Sequence, residues 1–249
     1  MRVPATIVEP FGKPQLLSDA EKLAEIYRTL DRETLTKLMG ISPTKAAAVR
    51  QQLNSWNTAV NDQVPAIDAF VGDIYSGLQV QTWSEKDREY AHKHLLILSG
   101  LYGALRACDG IMPYRLEMGY KLPGGTSLYD YWSDKLTSVL PASTSMIVNL
   151  SAVEYTRALL PYVDRPTIAP KFMTVSPKSG EPTFVTVHAK IARGAFARWM
   201  IVHRIDEPRR LHEFSDLGYI YDAELSSESQ PVFVADRFEG IGLSVRLTK

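Results

Sequence analysis

The sequence predicts a mixed α/β (α+β) fold, with a central mixed sheet and a helical N-terminal lobe. Three observations carry that prediction. Before residue 60 the apolar residues recur at helical spacing. After it, short apolar runs alternate with helical stretches. Three of those runs also share one shape: a buried strand, a turn and a helix start. No repeat, low-complexity tract or long linker interrupts the 249 residues, so residues 1–249 are read as one compact domain.

The first helix is expected to open at Ser18, where Ser18 and Glu21 have the spacing of a capping box. Leu23, Ile26, Tyr27 and Leu30 form its inner face. A short second helix fits Asp31 to Met39 and ends at Gly40. Ser42 caps a third helix with Pro43 at its first position, where the missing N–H costs nothing, and Ala46, Val49, Leu53 and Trp56 line one face. The three strand–turn–helix segments are Ala66–Val71 into Gly72–Tyr75, Leu95–Leu98 into Ser99–Gly103, and Met146–Leu150 into Ser151–Tyr155. Further strands are expected at Tyr114–Met118, Phe184–Ala189 and Pro231–Ala235. Further helices are expected at Ser84–Lys93, Leu128–Leu140 and Lys190–Arg204.

Composition narrows the function. Apolar residues make up 45% and charged residues 22%, which excludes disorder over most of the chain. The apolar runs, such as Leu95–Leu98, fall far short of the roughly 20 residues that cross a bilayer, and Met1–Lys13 has no secretory pattern. With a single cysteine, Cys108, neither an internal disulfide nor a cysteine-based zinc site can form, which suits a cytoplasmic location. Lys and Arg number 28 against 28 Asp and Glu, so a general basic coat is excluded while a local basic face is not.

Four constellations carry candidate chemistry. In the first, two helices flank the hairpin Gly40-Ile41-Ser42. Glycine permits a tight path, and the N–H groups at the following helix start favour an anion, with Lys45 and Arg50 as neighbouring cations. Residues of about 31–56 therefore look like a helix-hairpin-helix module, with Gly40, Ile41, Ser42, Thr44 and Lys45 holding phosphate. An ordinary αα-turn is the alternative. The second is the run Lys190 to Arg210. Six cations there (Lys190, Arg193, Arg198, Arg204, Arg209, Arg210) meet only Asp206 and Glu207, and Gly194 leaves room for a ligand. It reads as a phosphate-facing stripe or a solvated face. In the third, Arg115 and Glu117 point to one face of an expected strand, as an ion pair that presents a guanidinium or as a plain structural bridge. The fourth is a shared cleft at strand exits, lined by Asp73, Tyr75, Ser99, Tyr102, Asn149, Glu154 and Tyr155 if the strands are parallel neighbours.

Several chemistries are missing. There is no G-x-S-x-G elbow, no phosphate loop ending in Gly-Lys-Ser/Thr, no G-x-G-x-x-G and no H-E-x-x-H. His92 and His94 would face different directions on a helix, and Cys108 reads as a buried, inert thiol. No cofactor and no metal site are expected.

The run Ala69-Phe70-Val71-Gly72-Asp73-Ile74-Tyr75-Ser76-Gly77-Leu78 resembles the AFxGDxYxGL signature of the YaaA family of peroxide-stress proteins. Leu98–Arg106, Pro113–Gly119 and Leu128–Trp132 continue the resemblance. Asn149-Leu150, Glu154-Tyr155, Lys190, Ala192-Arg193-Gly194 and Gly218-Tyr219 follow in order, so that it covers roughly residues 18–236. It implies a compact mixed fold with a helix-hairpin-helix element and a positively charged cleft. It also implies duplex DNA binding and a role in limiting damage from hydrogen peroxide and unincorporated iron. The chain departs from the pattern in three places. Met1–Pro14 lacks the family's usual opening strand and basic segment. Ser151-Ala152-Val153-Glu154-Tyr155 replaces Ala-Ser-Asp-Glu-Tyr, and Lys190-Ile191-Ala192-Arg193-Gly194 replaces Lys-Lys-Ala-Arg-Gly.

The expected function is a cytoplasmic, sequence-nonspecific binder of double-stranded DNA. Its hairpin grips phosphate, and Arg115, Lys190 and Arg193 supply the cleft charge. The rival is an enzyme acting on a nucleotide-like or other anionic small molecule, with Glu154 or Glu117 as acid/base and Tyr155 or Tyr102 as hydrogen-bond donor. No membrane partner is expected.

Overall fold

The computed structural model describes residue 1, residues 9–59 and residues 62–240. The described residues combine helices with small sheets and gather into two units. The first comprises residues 1–70, 91–143 and 151–164, and the second residues 71–90, 144–150 and 165–249. Among the described residues no helix is long and apolar enough to cross a membrane. The altered opening at Met1–Pro14 lies largely outside the described residues.

In the first unit, α1 (Leu17–Arg28), α2 (Arg32–Met39) and α3 (Pro43–Ser55) form the expected helical lobe. α1 opens one residue before the expected cap, and no side chain caps it. Leu16 and Leu17 are buried, so packing rather than capping sets this start. The Ser42 cap of α3 is as read, and Asp31 caps α2 rather than being its first residue. The Asp31 carboxylate accepts the Thr34 N–H at 2.7 Å, and the Ser42 hydroxyl accepts the Lys45 N–H at 3.4 Å with Pro43 at the first position. The Arg28 guanidinium donates to the carbonyls of Leu53 and Trp56 and lies over the Trp56 ring. A cation thus satisfies the free carbonyls at the end of α3, where the helix dipole favours it. The Trp56 indole N–H donates to the Tyr102 hydroxyl at 2.8 Å, which ties the lobe to the core.

The middle of this unit departs from three expected strand–turn–helix segments. β1 (Val64–Pro65) is followed by a single helical turn, α4 (Ala66–Ala69), instead of a strand. Short apolar runs look alike as strand or buried helix, and here the Ala66 and Ile67 N–H groups are taken by the carbonyls of Asp109 and Ala107. β2 (Leu96–Ser99) is the expected strand, but it turns back as a hairpin into β3 (Gly103–Arg106) rather than entering a helix. Gly103 takes φ +72° against the Trp132 ring, a conformation only glycine adopts at little cost. β4 (Gly110–Ile111) pairs with β1. Tyr114–Met118 forms no ladder, yet it alternates as a strand would: Tyr114, Leu116 and Met118 are buried while Arg115 and Glu117 are exposed. α7 (Leu128–Trp132) carries a Ser127–Asp130 capping box and passes into a 3-10 segment, Ser133–Val139, in place of one long helix. α8 (Val153–Leu159) follows.

In the second unit, α5 (Asp73–Leu78) packs on α9 (Thr186–Val202). The helix expected at Ser84–Lys93 is present as α6 (Glu85–His94). β5 (Ile147–Val148) pairs in parallel with β6 (Thr167–Ile168). The mixed sheet has the order β8-β7-β10-β9, from β7 (Lys171–Val175), β8 (Pro182–Thr183), β9 (Tyr219–Ser227) and β10 (Gln230–Ala235). Only the β7–β10 pair is parallel. Phe184–Ala189, expected as a strand, instead runs into α9, whose Ala189, Ala192, Phe196 and Trp199 face the sheet's Phe172 and Phe233. At the closest approach of α5 and α9, a Cβ on Gly194 would lie 1.8 Å from the Ile74 carbonyl oxygen and one on Gly77 2.0 Å from that of Ile191. The space at Gly194 therefore admits a neighbouring backbone, not the ligand that the sequence suggested.

Candidate nucleic-acid interface

The hairpin is built by its caps. Gly40 sits at φ +60°, ψ +35°, and the Gly40 and Ile41 N–H groups both return to the Thr36 carbonyl. Of the five residues expected to hold phosphate, Ile41 and Lys45 thus have their N–H groups engaged within the turn. Ser42 and Thr44 keep theirs unpartnered among the described residues, and both are exposed. Lys45 projects from the first turn of α3, which contains no acidic residue. Nothing lies within 4 Å of a Cβ built on Gly40, so a substitution there meets only backbone strain. Gly40→Ala should cost about 1 kcal/mol, and Gly40→Val more, near the upper end of 1–3 kcal/mol. Melting temperatures check this, and an unchanged valine variant would contradict the turn geometry.

The segment after β4 brings a second cation alongside. Arg115 and Lys45 open onto one depression of about 190 Å³, together with Val49, Gln52 and Tyr114. The Arg115 guanidinium donates to Glu117 at 2.9 Å across an exposed face, so the ion pair read from the sequence is present. The Tyr120 phenol close by has its pKa raised by burial, with Glu117 adding to it. At the other end of the segment, the Glu154 carboxylate accepts the Gly119 N–H at 2.8 Å. Burial, with Glu154 and Glu117 adding to it, keeps the Tyr155 phenol protonated.

The expected cleft residues divide between the two units. Arg115, Glu117, Glu154, Tyr155, Ser99 and Tyr102 belong to the first. Ser99 and Tyr102 are core residues there, not cleft lining. The Ser99 hydroxyl bonds the Tyr114 hydroxyl at 2.5 Å and accepts the Tyr102 N–H, while the Tyr102 hydroxyl accepts from Trp56 and from the Met112 N–H. Burial pushes the Tyr102 phenol up to about 12. Asp73, Tyr75, Asn149, Lys190 and Arg193 belong to the second unit. Asp73 and Tyr75 lie in the first turn of α5 and follow a helical turn, not a strand. Asn149 follows β5 and donates its N–H to the Ile168 carbonyl.

Four of the six cations of the basic run pair with carboxylates. Arg204 pairs with Asp87 at 2.8 Å and lies over the Tyr90 ring. Arg198 pairs with Asp216, Arg210 with Glu213 and Arg209 with Glu207, the last two pairs being within three residues. This arrangement fits the solvated-face alternative. Of the six cations, Lys190 stays exposed, and Arg193 is half-buried with its pKa lowered by that burial. What sequence reasoning missed is the Gly119–Glu154 pairing, which joins residues more than thirty positions apart.

A family model described as peroxide stress protein YaaA matches residues 3–225. A protein of Salinispora tropica named UPF0246 protein is 48% identical over 236 residues, covering 94% of this chain and 89% of that protein. Proteins of the same name from Ruegeria pomeroyi and Roseobacter denitrificans are 41% and 39% identical. They cover 89% and 90% of this chain, and the matches span 90% and 91% of their own lengths.

Proposed function

Because the chain belongs to the peroxide stress protein YaaA family, we propose that its part in that response is to hold duplex DNA by the phosphate backbone. The grip uses the hairpin between α2 and α3 and the guanidinium of Arg115. The observation that supports this reading most is the shared depression: Lys45 and Arg115, seventy positions apart, offer two cations to one open surface, and Lys45 stands in the first turn of α3 with Thr44, whose N–H is unpartnered among the described residues. Contacts of this kind read no bases, so binding is sequence-nonspecific. Lys190 and Arg193 enter the proposal as separate anion contacts of the second unit.

The rival, an enzyme acting on an anionic small molecule, would need Glu154, Glu117 or Tyr155 to exchange protons. Both carboxylates already have a partner, the Gly119 N–H for Glu154 and Arg115 for Glu117, and burial raises the Tyr155 pKa. That occupancy favours binding over acid/base work.

The test is duplex affinity against salt. With about three to five phosphates neutralised, the log–log slope should be about −3 to −5, and unrelated sequences of equal length should bind alike. An affinity independent of salt, or no binding at low salt, rejects the proposal.

A further inference from the structure

Among the described residues, the segment that carries Arg115 has no ladder partner from Met112 to Glu117, and side-chain contacts mark its course. Its near end is fixed by Met112 N–H on the Tyr102 hydroxyl and by the Tyr114 hydroxyl on Ser99. Its far end is held from one helix: at the start of α8, the Glu154 carboxylate takes the Gly119 N–H at 2.8 Å. Between these ends the guanidinium is aimed by Glu117 on its own face.

We infer that Glu154 is a positioning residue for the phosphate contact of Arg115, a clamp that sets the segment's register and so the direction of the guanidinium. The inference rests on the DNA-binding reading above. It assigns Glu154 a role opposite to the acid/base one: it acts as an oxygen acceptor, and its charge is incidental.

The sign of one measurement separates these roles. A carboxylate near a phosphate-binding surface repels DNA, so a purely electrostatic Glu154 predicts tighter binding when it is removed. A clamp predicts weaker binding. Glu154→Ala should lower duplex affinity about tenfold, the effect of losing one charge-assisted hydrogen bond, and reduce the salt slope by about one. Glu154→Gln retains an acceptor oxygen for Gly119 and should bind at least as tightly as the wild type. In a double-mutant cycle, Glu154→Ala should add little once Arg115→Ala is present, because the clamp acts through that side chain. Glu154→Asp, which keeps the charge but is one methylene shorter in its reach to the Gly119 N–H, should weaken binding in the same way and supplies the answer if Glu154→Ala does not fold.

Faster amide exchange at Gly119 should accompany the loss in either variant. Unchanged or tighter binding by a folded Glu154→Ala protein, or full additivity with Arg115→Ala, overturns the clamp while leaving DNA binding in place. A wild-type protein that binds no duplex at low salt overturns the underlying reading itself, and the two failures are thereby distinct.

Discussion

Gly194→Ala should lower the melting temperature by about 10 °C or more. The added Cβ would sit 1.8 Å from the Ile74 carbonyl oxygen and 2.9 Å from the Leu78 nitrogen. Both are backbone atoms of α5, so no rotamer change relieves the overlap and one helix must shift. Overpacking of side chains usually costs about 1–3 kcal/mol, and a backbone collision lies at or beyond that limit. For a chain of this size each kcal/mol moves the melting temperature by about 2–4 °C. Gly77→Ala should behave alike, since its Cβ would meet the Ile191 carbonyl oxygen at 2.0 Å from the opposite helix. Lys190→Ala, on the same helix but exposed, should leave the transition where it is. Differential scanning calorimetry of the three variants decides the matter, and a Gly194→Ala transition within a degree of the wild type would refute the close helix crossing.

That crossing also marks where sequence reading stops. Gly194 was legible as a residue kept small for a neighbour, but the neighbour's identity was not. A ligand and a packed helix impose the same demand on a Cβ, and α5 lies more than a hundred residues away. Local features were read well because local physics decides them. Gly40 at the end of α2 and Ser42 with Pro43 at the start of α3 act within the neighbouring turn, and those helix ends fall where they were read. Arg115 and Glu117 were placed on one face by alternation alone, which survives even though no ladder forms.

The failures share a cause. Ala66–Ala69 became a helical turn because the carbonyls of Ala107 and Asp109 take its first N–H groups. The cations of Lys190–Arg210 were read as free because Asp87, Asp216 and Glu213 lie outside the run. Ser99 and Tyr102 were assigned to a cleft because a strand exit usually opens onto one. Here the strand folds back as a hairpin, and its polar groups are spent on Tyr114, Trp56 and Met112. In each case a partner outside the segment being read decided the outcome.

The same dependence on a partner makes Arg115→Ala more damaging to DNA binding than Lys45→Ala. Lys45 is an exposed cation at a helix start, and its removal takes away one phosphate contact. The salt slope should fall by about one unit and the affinity by about tenfold. Removing Arg115 takes away a contact of the same kind and also strips Glu117 of its ion-pair partner, 2.9 Å away. An unpaired carboxylate then stands beside the depression that Lys45 and Arg115 share, and it repels the backbone that the site is proposed to hold. Affinity should therefore fall by clearly more than in Lys45→Ala. Arg115→Ala combined with Glu117→Ala should recover the difference, because both charges go together. The double variant Lys45→Ala/Arg115→Ala should bind duplex at low salt roughly a hundredfold more weakly than the wild type, with the slope reduced by about two. The two side chains face one surface, so the combined loss need not be additive, but its direction is fixed. Binding titrations at two salt concentrations, with melting temperatures to confirm folding, read all four proteins. Wild-type affinity in the double variant would remove the depression from the interface, and with it the reason for placing DNA on this face of the molecule.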